Sequence, residues 1–308
     1  MRRIAAGLIV IMSVLLVSCK GKTGNTITVG SDKLDNTQSY FSESMHKAAR
    51  CDSGYYYLDK CGASADNLMF YDDKSEESIV LCNKPQCGHY GEECMAYISG
   101  SEFKSELYYY NSYIYMISSK GNLVRISADG TQRTDLGSIC VLSGQDSVSM
   151  CFNDGYAYVS QEITGDIEGN VTVRLHRFNL DTGLSDKIYE ETGYGIGINS
   201  LKTYGSDTFF LKTSVSKDDK GLYSLEGKGI FRIAGEDIEC LLDKNVYSYC
   251  IDADNNKLYY SGLGDGTIYE YDLGSGKSES IYKSDNDTGY FYITFDGNYI
   301  WMDDEGYK

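Results

Sequence analysis

Residues 249–261, YCIDADNNKLYYS, and residues 267–276, TIYEYDLGSG, carry the clearest fold signal in the chain. Together they read as an apolar strand, a turn rich in Asp and Asn, an aromatic strand, and a third strand that ends in an Asp/Gly turn. Alternating aromatic residues suit a pleated, half-buried surface, and Asp, Asn and Gly suit tight turns between antiparallel neighbours. The two stretches therefore predict strands joined in sequence as hairpins.

The same pattern recurs along the chain, and the second strands of successive copies start 41 to 58 residues apart. A fourth strand follows the third, as in KSESIYKSD at residues 277–285. Four strands in 40 to 50 residues are typical of a β-propeller blade, whereas a solenoid with one turn per repeat has a shorter period. The first hairpins of the six copies lie at residues 49–58, 106–117, 149–159, 201–211, 249–261 and 293–302.

Composition agrees with an all-β fold. The chain contains 29 Tyr and 33 Gly but only one Pro and one Trp, and beyond its N-terminus it has no long apolar stripe with helical spacing. We predict a β-propeller of about six four-stranded blades, of which the last is incomplete because the sequence reaches Lys308 after its second strand. Either a strand at residues 26–29 completes that blade or a C-terminal portion is missing.

The N-terminus has the features of an export signal. Arg2 and Arg3 precede an uncharged apolar run over residues 4–17, which is too short to span a bilayer comfortably. The run ends in Leu-Val-Ser-Cys at residues 16–19, which resembles the lipobox of bacterial lipoproteins. That resemblance implies a diacylglyceryl group on Cys19 and cleavage before it. The alternative is an ordinary secretory signal with a chance cysteine.

These features divide the chain into three parts: a lipoprotein signal peptide at residues 1–18, a lipidated polar tether at residues 19–37, and a propeller domain at residues 38–308. Two acyl chains give stable anchoring where one is marginal. The expected location is the extracytoplasmic face of a cell membrane, with the lipid as the membrane contact.

The formal net charge of −17 excludes nucleic acid as a partner, because such a surface repels phosphates. The charge is explained by solubility at a cell surface. An acidic groove that attracts cationic ligands is the alternative explanation.

An insertion at residues 82–94 holds Cys82, Cys87, His89 and Cys94 in a C-x4-C-x-H-x4-C pattern. It accounts for the longest step between copies, so we expect it between blades 1 and 2. Three thiols and one imidazole match the ligand set of a structural Cys₃His zinc site, although this spacing is not a standard finger or knuckle. A disulfide with one thiol left over, or neither, are the alternatives. Haem attachment is disfavoured because the His does not directly follow the second Cys.

The phrase LCNKPQCGHYGEECMAY at residues 81–97, after a lipobox and a tyrosine-rich first blade, resembles a group of uncharacterised bacterial lipoproteins with propeller-like repeats. The repeats are also similar to propellers of the low-density-lipoprotein-receptor and TolB types, although the YWTD phrase of the former is absent. The resemblance implies a propeller and carries no established activity.

The remaining thiols are predicted to be structural. Cys51, Cys151 and Cys250 occupy the same place in three repeats, just before the first hairpin turn, where a small apolar residue is wanted. Cys140 and Cys240 lie near the ends of fourth strands. The pairs 140/151 and 240/250 are close in sequence, but fourth and first strands lie at opposite edges of a blade. We therefore expect free buried thiols.

Two further groups of residues are weak candidates. Asp252, Asp254 and Asn256 have calcium-loop spacing, but Lys257 stands where that loop needs Gly, so a hairpin turn is predicted. His176 lies on an alternating strand and is predicted to face solvent. His46 precedes blade 1 and is also expected to be exposed.

The sequence favours a ligand- or protein-binding propeller on the cell surface, because propellers present rigid, loop-rimmed funnels and tyrosine suits recognition of glycans, peptides or proteins. The alternative is a surface polysaccharide lyase or hydrolase. Such an enzyme needs paired acids or a Tyr beside a His such as His176 in the funnel. Motifs for a serine nucleophile, a zinc protease or a phosphate loop are absent.

Overall fold

The computed structural model describes residues 48–100, 102–103, 107–143, 146–165, 169–205, 207–235, 237–285, 289–295 and 297–304. Cys19, His46 and the strand expected at residues 26–29 lie outside these residues. Over the described ranges the chain is built of strands and turns. In the same ranges no helix is long and apolar enough to cross a membrane.

The strands form successive antiparallel sheets, and the predicted all-β propeller is confirmed. Blade 1 contains β1 (Ala48–Cys51), β2 (Gly54–Gly62), β3 (Ala65–Asp72), β4 (Glu77–Val80) and β5 (Tyr97–Ser99). Blade 2 contains β6 (Tyr108–Tyr110), β7 (Tyr113–Ile117), β8 (Asn122–Ser127) and β9 (Arg133–Ser138). Blade 3 contains β10 (Ser147–Asn153), β11 (Tyr156–Thr164), β12 (Asn170–Asn179) and β13 (Ser185–Tyr194).

Blade 4 contains β14 (Gly197–Tyr204), β15 (Asp207–Lys217), β16 (Tyr223–Ala234) and β17 (Asp237–Leu242). Blade 5 contains β18 (Val246–Asp252), β19 (Lys257–Gly262), β20 (Thr267–Asp272) and β21 (Lys277–Lys283). The sixth blade contributes β22 (Phe291–Phe295) and β23 (Ile300–Asp304) within the described residues. In blades 2 to 5 the spatial order of strands equals their order in sequence, as hairpin connections require.

The core lies between blades rather than inside them. Five clusters of buried apolar residues each join two consecutive blades, from blades 1 and 2 to blades 5 and 6. The seam between blades 4 and 5, for example, packs Phe209 and Leu242 against Tyr249 and Leu258. Because a single sheet cannot bury both of its faces alone, stacking supplies the hydrophobic stabilisation of every blade.

Tyrosine stabilises these seams in two ways, through its buried ring and through hydrogen bonds of its hydroxyl, which explains its abundance. The ring of Tyr249 is fully buried, while its hydroxyl donates to the carbonyl of Ser200 in the preceding blade at 2.7 Å. The hydroxyl of Tyr108 accepts from the N–H of Met150 in the following blade at 3.1 Å. A buried aromatic ring with a hydrogen-bonding hydroxyl joins apolar packing to the backbone polar groups of a neighbouring blade.

Candidate metal centre

The Cys/His loop leaves and rejoins the outer strand of blade 1. β4 pairs with the second half of β3 and β5 pairs with its first half, so the two short strands form one interrupted fourth strand. Leu68, at the middle of β3, accepts from the N–H of Leu81 at 2.9 Å and donates to the carbonyl of Ala96 at 2.7 Å. Both ends of the loop are therefore fixed to one residue.

This arrangement corrects the placement predicted for the insertion. The loop does not follow a completed blade 1; it interrupts the fourth strand of that blade on the side that faces blade 2. The physical reason is that the residues after the loop still have a free β3 edge to pair with, and pairing there satisfies their backbone groups.

Turns inside the loop bring the ligands together. The N–H of Cys87 donates to the carbonyl of Lys84 at 3.2 Å across Pro85 and Gln86, and Gln86 has a φ of 60°. Pro followed by a residue of positive φ is the pattern of a type II turn. His89 also has a positive φ, of 58°, which reverses the chain before the last cysteine.

The four predicted ligands converge. The sulfurs of Cys82, Cys87 and Cys94 and a ring nitrogen of His89 all lie within 4.8 Å of one another. The Sγ atom of Cys94 is 3.6 Å from Nδ1 of His89. In a tetrahedral zinc site with Zn–S bonds of about 2.3 Å, neighbouring ligand atoms are about 3.8 Å apart. The cluster therefore needs only a small contraction to hold such an ion.

The environment of the thiols differs from one side of the cluster to the other. Burial alone would raise the pKa of Cys82, but hydrogen bonds from the N–H of Lys84 and from the thiols of Cys94 and Cys87 outweigh it, so that pKa is lowered. Burial raises the pKa of Cys94 to about 11, against a hydrogen bond from the N–H of Ala96. A cation at the centre would take the place of the thiol protons that now bridge the sulfurs.

The floor of the cluster is apolar. Cys94 is buried in the core between blades 1 and 2, together with Leu81, Ala96 and Ile98, and Cys82 and Cys87 pack against the same cluster. Within the loop, the exposed ammonium of Lys84 donates to the carbonyl of Glu93. Four protein donors fill a tetrahedron and leave no open position, which is the pattern of a structural site rather than a catalytic one.

Among the described residues, the cysteines on the first strands of three blades lie in the blade seams. Cys51, Cys151 and Cys250 are buried and free on the first strands of blades 1, 3 and 5. Burial raises the pKa of Cys250 to about 12. Cys140 and Cys250 are both free, so neither of the two sequence-adjacent pairs forms a disulfide. The expectation of a free thiol is wrong for Cys240, which is disulfide-bonded. Cys61, at the end of β2, is free and lies outside the four-ligand cluster.

The prediction that His176 faces solvent is wrong, because its side chain is buried. An inner blade is covered on both faces by its neighbours, so alternation along β12 does not distinguish core from solvent. Nε2 of His176 lies 3.2 Å from Oε1 of Gln161, whose amide donates to the carbonyl of Val141 and to Asp146. Burial, followed by the charges of two cationic neighbours, lowers the pKa of His176 to about 4.

Asp252 and its neighbours form the predicted hairpin turn. The carboxylate of Asp252 accepts from the N–H of Asn255 at 3.1 Å and from its side-chain amide at 2.7 Å. Asp252 pairs with Lys257 at the start of the next strand. Its oxygens therefore stabilise the turn.

Sequence reasoning missed the groups that support the cluster from outside it. The N–H groups of Lys84, Met95 and Ala96 donate to ligand sulfurs. No sequence motif marks these donors, because every residue except proline has a backbone N–H. The only available signal was position, since each lies within two residues of a cysteine.

No protein-family model matches the chain, and no curated protein sequence matches it. Solved structures of similar fold include Hsv2p of Kluyveromyces lactis, with a TM-score of 0.47 and 11% identity over 82% of this chain and 68% of that one. A nidogen/laminin complex gives a TM-score of 0.40 and 11% identity over 79% and 80% of the two chains. Oligogalacturonate lyase from Vibrio parahaemolyticus gives 0.38 and 9% over 81% and 85%. Similarities at this level carry no information on activity.

Proposed function

We propose that this chain is a membrane-anchored, extracytoplasmic lipoprotein whose propeller binds a surface ligand or protein, and whose first blade is stapled by a structural zinc ion. The zinc part of the proposal rests on the convergence of Cys82, Cys87, His89 and Cys94 within 4.8 Å. The anchor rests on the Leu-Val-Ser-Cys phrase at residues 16–19, and the binding role rests on the propeller fold. Three thiolates and a neutral imidazole are a donor set that zinc prefers, and oxygen-seeking cations such as calcium do not.

Accessible thiols outside the cytoplasm oxidise, and Cys82 and Cys87 are only half-buried, which gives a physical reason for tying them to the buried Cys94. A metal ion uses all four donors. A single disulfide would strand one thiol and leave His89 without a role. The same four residues thus favour a metal over a disulfide by their number and by the position of the imidazole among the sulfurs.

The metal test uses the full chain extracted in detergent. We expect about one equivalent of zinc per chain, and we expect Cys94→Ser to lose most of it. Cys61→Ser is the matched control, because Cys61 is also free and lies outside the cluster. A metal-free wild type with two thiols unreactive until reduction would establish the disulfide instead. Equal metal content in the two variants would show that the metal does not bind at this cluster.

The anchor has its own test. Mass spectrometry of the mature chain should show a diacylglyceryl-modified N-terminal Cys19, and Cys19→Ser should leave the protein unprocessed or released into the medium. An unlipidated wild-type chain would contradict the anchor without bearing on the metal centre.

Binding and catalysis can be separated in one experiment. The metal-loaded chain is titrated with a panel of acidic and neutral surface polysaccharides while both retention on the chain and product formation are measured. A lyase creates an unsaturated, ultraviolet-absorbing product and a hydrolase creates new reducing ends. Saturable retention without either product supports the binding module, whereas turnover supports the enzyme.

A further inference from the structure

At its first residues, the Cys/His loop contacts a glycine of the neighbouring blade. Gly130 lies in the turn between β8 and β9 of blade 2 with a φ of 68°. A Cβ atom added to Gly130 would stand 2.7 Å from the carbonyl oxygen of Leu81 and 3.2 Å from the nitrogen of Cys82. The backbone of the first ligand is therefore in direct contact with blade 2, with no room for a side chain between them.

The other end of the loop rests on the same hairpin. Arg133, the first residue of β9, donates from its guanidinium to the carbonyl of Tyr97 at 3.0 Å. Tyr97 opens β5, the strand into which the loop returns. Arg133 also pairs with Glu102 just beyond β5. Residues on both sides of the loop are thus held by one hairpin of blade 2.

A similar glycine contact with the outer strand of the preceding blade occurs in blade 3. Gly183, in the turn between β12 and β13, would place a Cβ atom 3.0 Å from the carbonyl of Leu136 in blade 2. Gly130 makes the same kind of contact with blade 1, at the point where that strand departs into the loop. The metal ligands therefore begin at an ordinary blade seam.

We propose that blade 2 supports the metal centre from outside its ligand set. Gly130 and Arg133 position the two ends of the loop, so that metal affinity and the packing of blade 1 on blade 2 are coupled. This inference rests on the proposed metal site. Because coupling between two equilibria is reciprocal, a change that disturbs the hairpin weakens metal binding, and metal binding strengthens the hairpin. Neither residue contacts the ion, and both act as positioning residues.

The test compares two glycines that share a conformation and a place in the fold. Gly130→Ala introduces a side chain against the base of the loop. Gly235→Ala is the matched control, since Gly235 lies in the equivalent turn of blade 4 with a φ of 65° and an added Cβ meets nothing within 4 Å. Both changes carry the same backbone strain. Only the first changes the seam beside Cys82.

Affinity is measured on the full chain with Co²⁺ as the probe, from the thiolate-to-cobalt absorption during titration in competition with a chelator. We expect Gly130→Ala to lower Co²⁺ affinity on the order of tenfold or more, and Gly235→Ala to leave it within about twofold. Arg133→Ala should lower it similarly, and Arg133→Lys should restore part of the loss because an ammonium can still reach the carbonyl of Tyr97. Arg133 keeps the test decisive if Gly130→Ala does not fold.

Reciprocity is measured by amide hydrogen exchange. Adding Co²⁺ to the wild type should slow exchange in the β8–β9 hairpin and leave the β16–β17 hairpin unchanged. The coupling would be overturned, with the metal site left intact, if the wild type and all variants bind Co²⁺ with equal affinity and hydrogen exchange in the β8–β9 hairpin does not change. A wild type that binds no Co²⁺ would overturn both.

Discussion

The fourth strands of blade 1 and blade 5 are held in different ways. β21 pairs with β20 along its whole length, with one irregularity, and nothing interrupts it. In blade 1 the corresponding strand is split into β4 and β5, and the chain between them makes a loop that carries four side chains able to hold a metal ion. Closing a loop of this size costs about 2 kcal/mol of chain entropy plus a constant. A continuous ladder of backbone hydrogen bonds holds β21 in place by itself. The strand split into β4 and β5 needs a further interaction to order the loop between its halves.

The largest loss of unfolding free energy is expected from a substitution in the loop of blade 1, compared with a matched substitution in blade 5. Cys94→Ser and Cys250→Ser each put a hydroxyl into a buried seam, at a cost of about 1–3 kcal/mol. Cys94→Ser should lose in addition the metal contribution, about 4 kcal/mol when free metal exceeds its dissociation constant a thousandfold.

Chemical unfolding of both variants, with and without a strong chelator, checks this difference. The chelator should destabilise the wild type and Cys250→Ser equally, and should leave Cys94→Ser almost unchanged. Equal responses of the two variants would remove the distinction between the blades.

Acid provides the next comparison, at a seam without metal ligands. The pKa of His176, about 4, lies below its value of about 6.5 in the unfolded chain. A depressed pKa means that the stability linked to the neutral imidazole is fully present above about pH 6.5 and is lost as pH falls towards about 4. His176→Gln should flatten the pH dependence of the unfolding midpoint in that range. An unchanged profile would show that the imidazole does not titrate on unfolding.

A single hydrogen bond measures the strength of an ordinary seam. Tyr249→Phe removes the bond to the carbonyl of Ser200 and keeps the buried ring. We expect a loss of about 1 kcal/mol of unfolding free energy, the usual value for one such bond. The loss should be the same with and without chelator, because blades 4 and 5 lie away from the loop. Dependence on chelator would mean that the metal acts on the whole propeller.

The smallest effect is expected from a half-buried acid, Glu162, at the seam of blades 3 and 4. Burial raises the pKa of Glu162, against a hydrogen bond from Ser147 and one from the N–H of Ile198. A raised pKa favours the folded state below the unfolded value, and this advantage disappears as pH rises through the folded pKa. Glu162→Gln should therefore match the wild type in acid and equal or exceed its stability at neutral pH. Lower stability of the variant at neutral pH would contradict the sign of the shift.

The repeat predicted the fold because its information is local. Each copy carries its own apolar strand, turn residues and aromatic strand, so the hairpins follow from neighbouring residues alone, as in the turn between Asp252 and Lys257. The ligand set was also visible, because Cys82, Cys87, His89 and Cys94 lie within 13 residues. Both predictions depended on short-range patterns.

The rest depends on partners far away in sequence. The loop interrupts a strand because Leu68 receives both of its ends, and Leu68 carries no mark of that role. His176 is buried because another blade covers its face of the sheet, which strand alternation does not reveal. Gly130 meets Cys82 across a seam. These contacts follow from the way the blades stack, which only the structure shows.

X-ray absorption at the zinc edge, recorded on the full detergent-extracted chain, decides whether the Cys/His loop holds a metal. We expect about one zinc per chain with three sulfur neighbours at about 2.3 Å and one nitrogen at about 2.0–2.1 Å. The cysteine and histidine donors are those that converge in blade 1. A chain without a bound metal, with a sulfur–sulfur bond among Cys82, Cys87 and Cys94, would contradict this expectation.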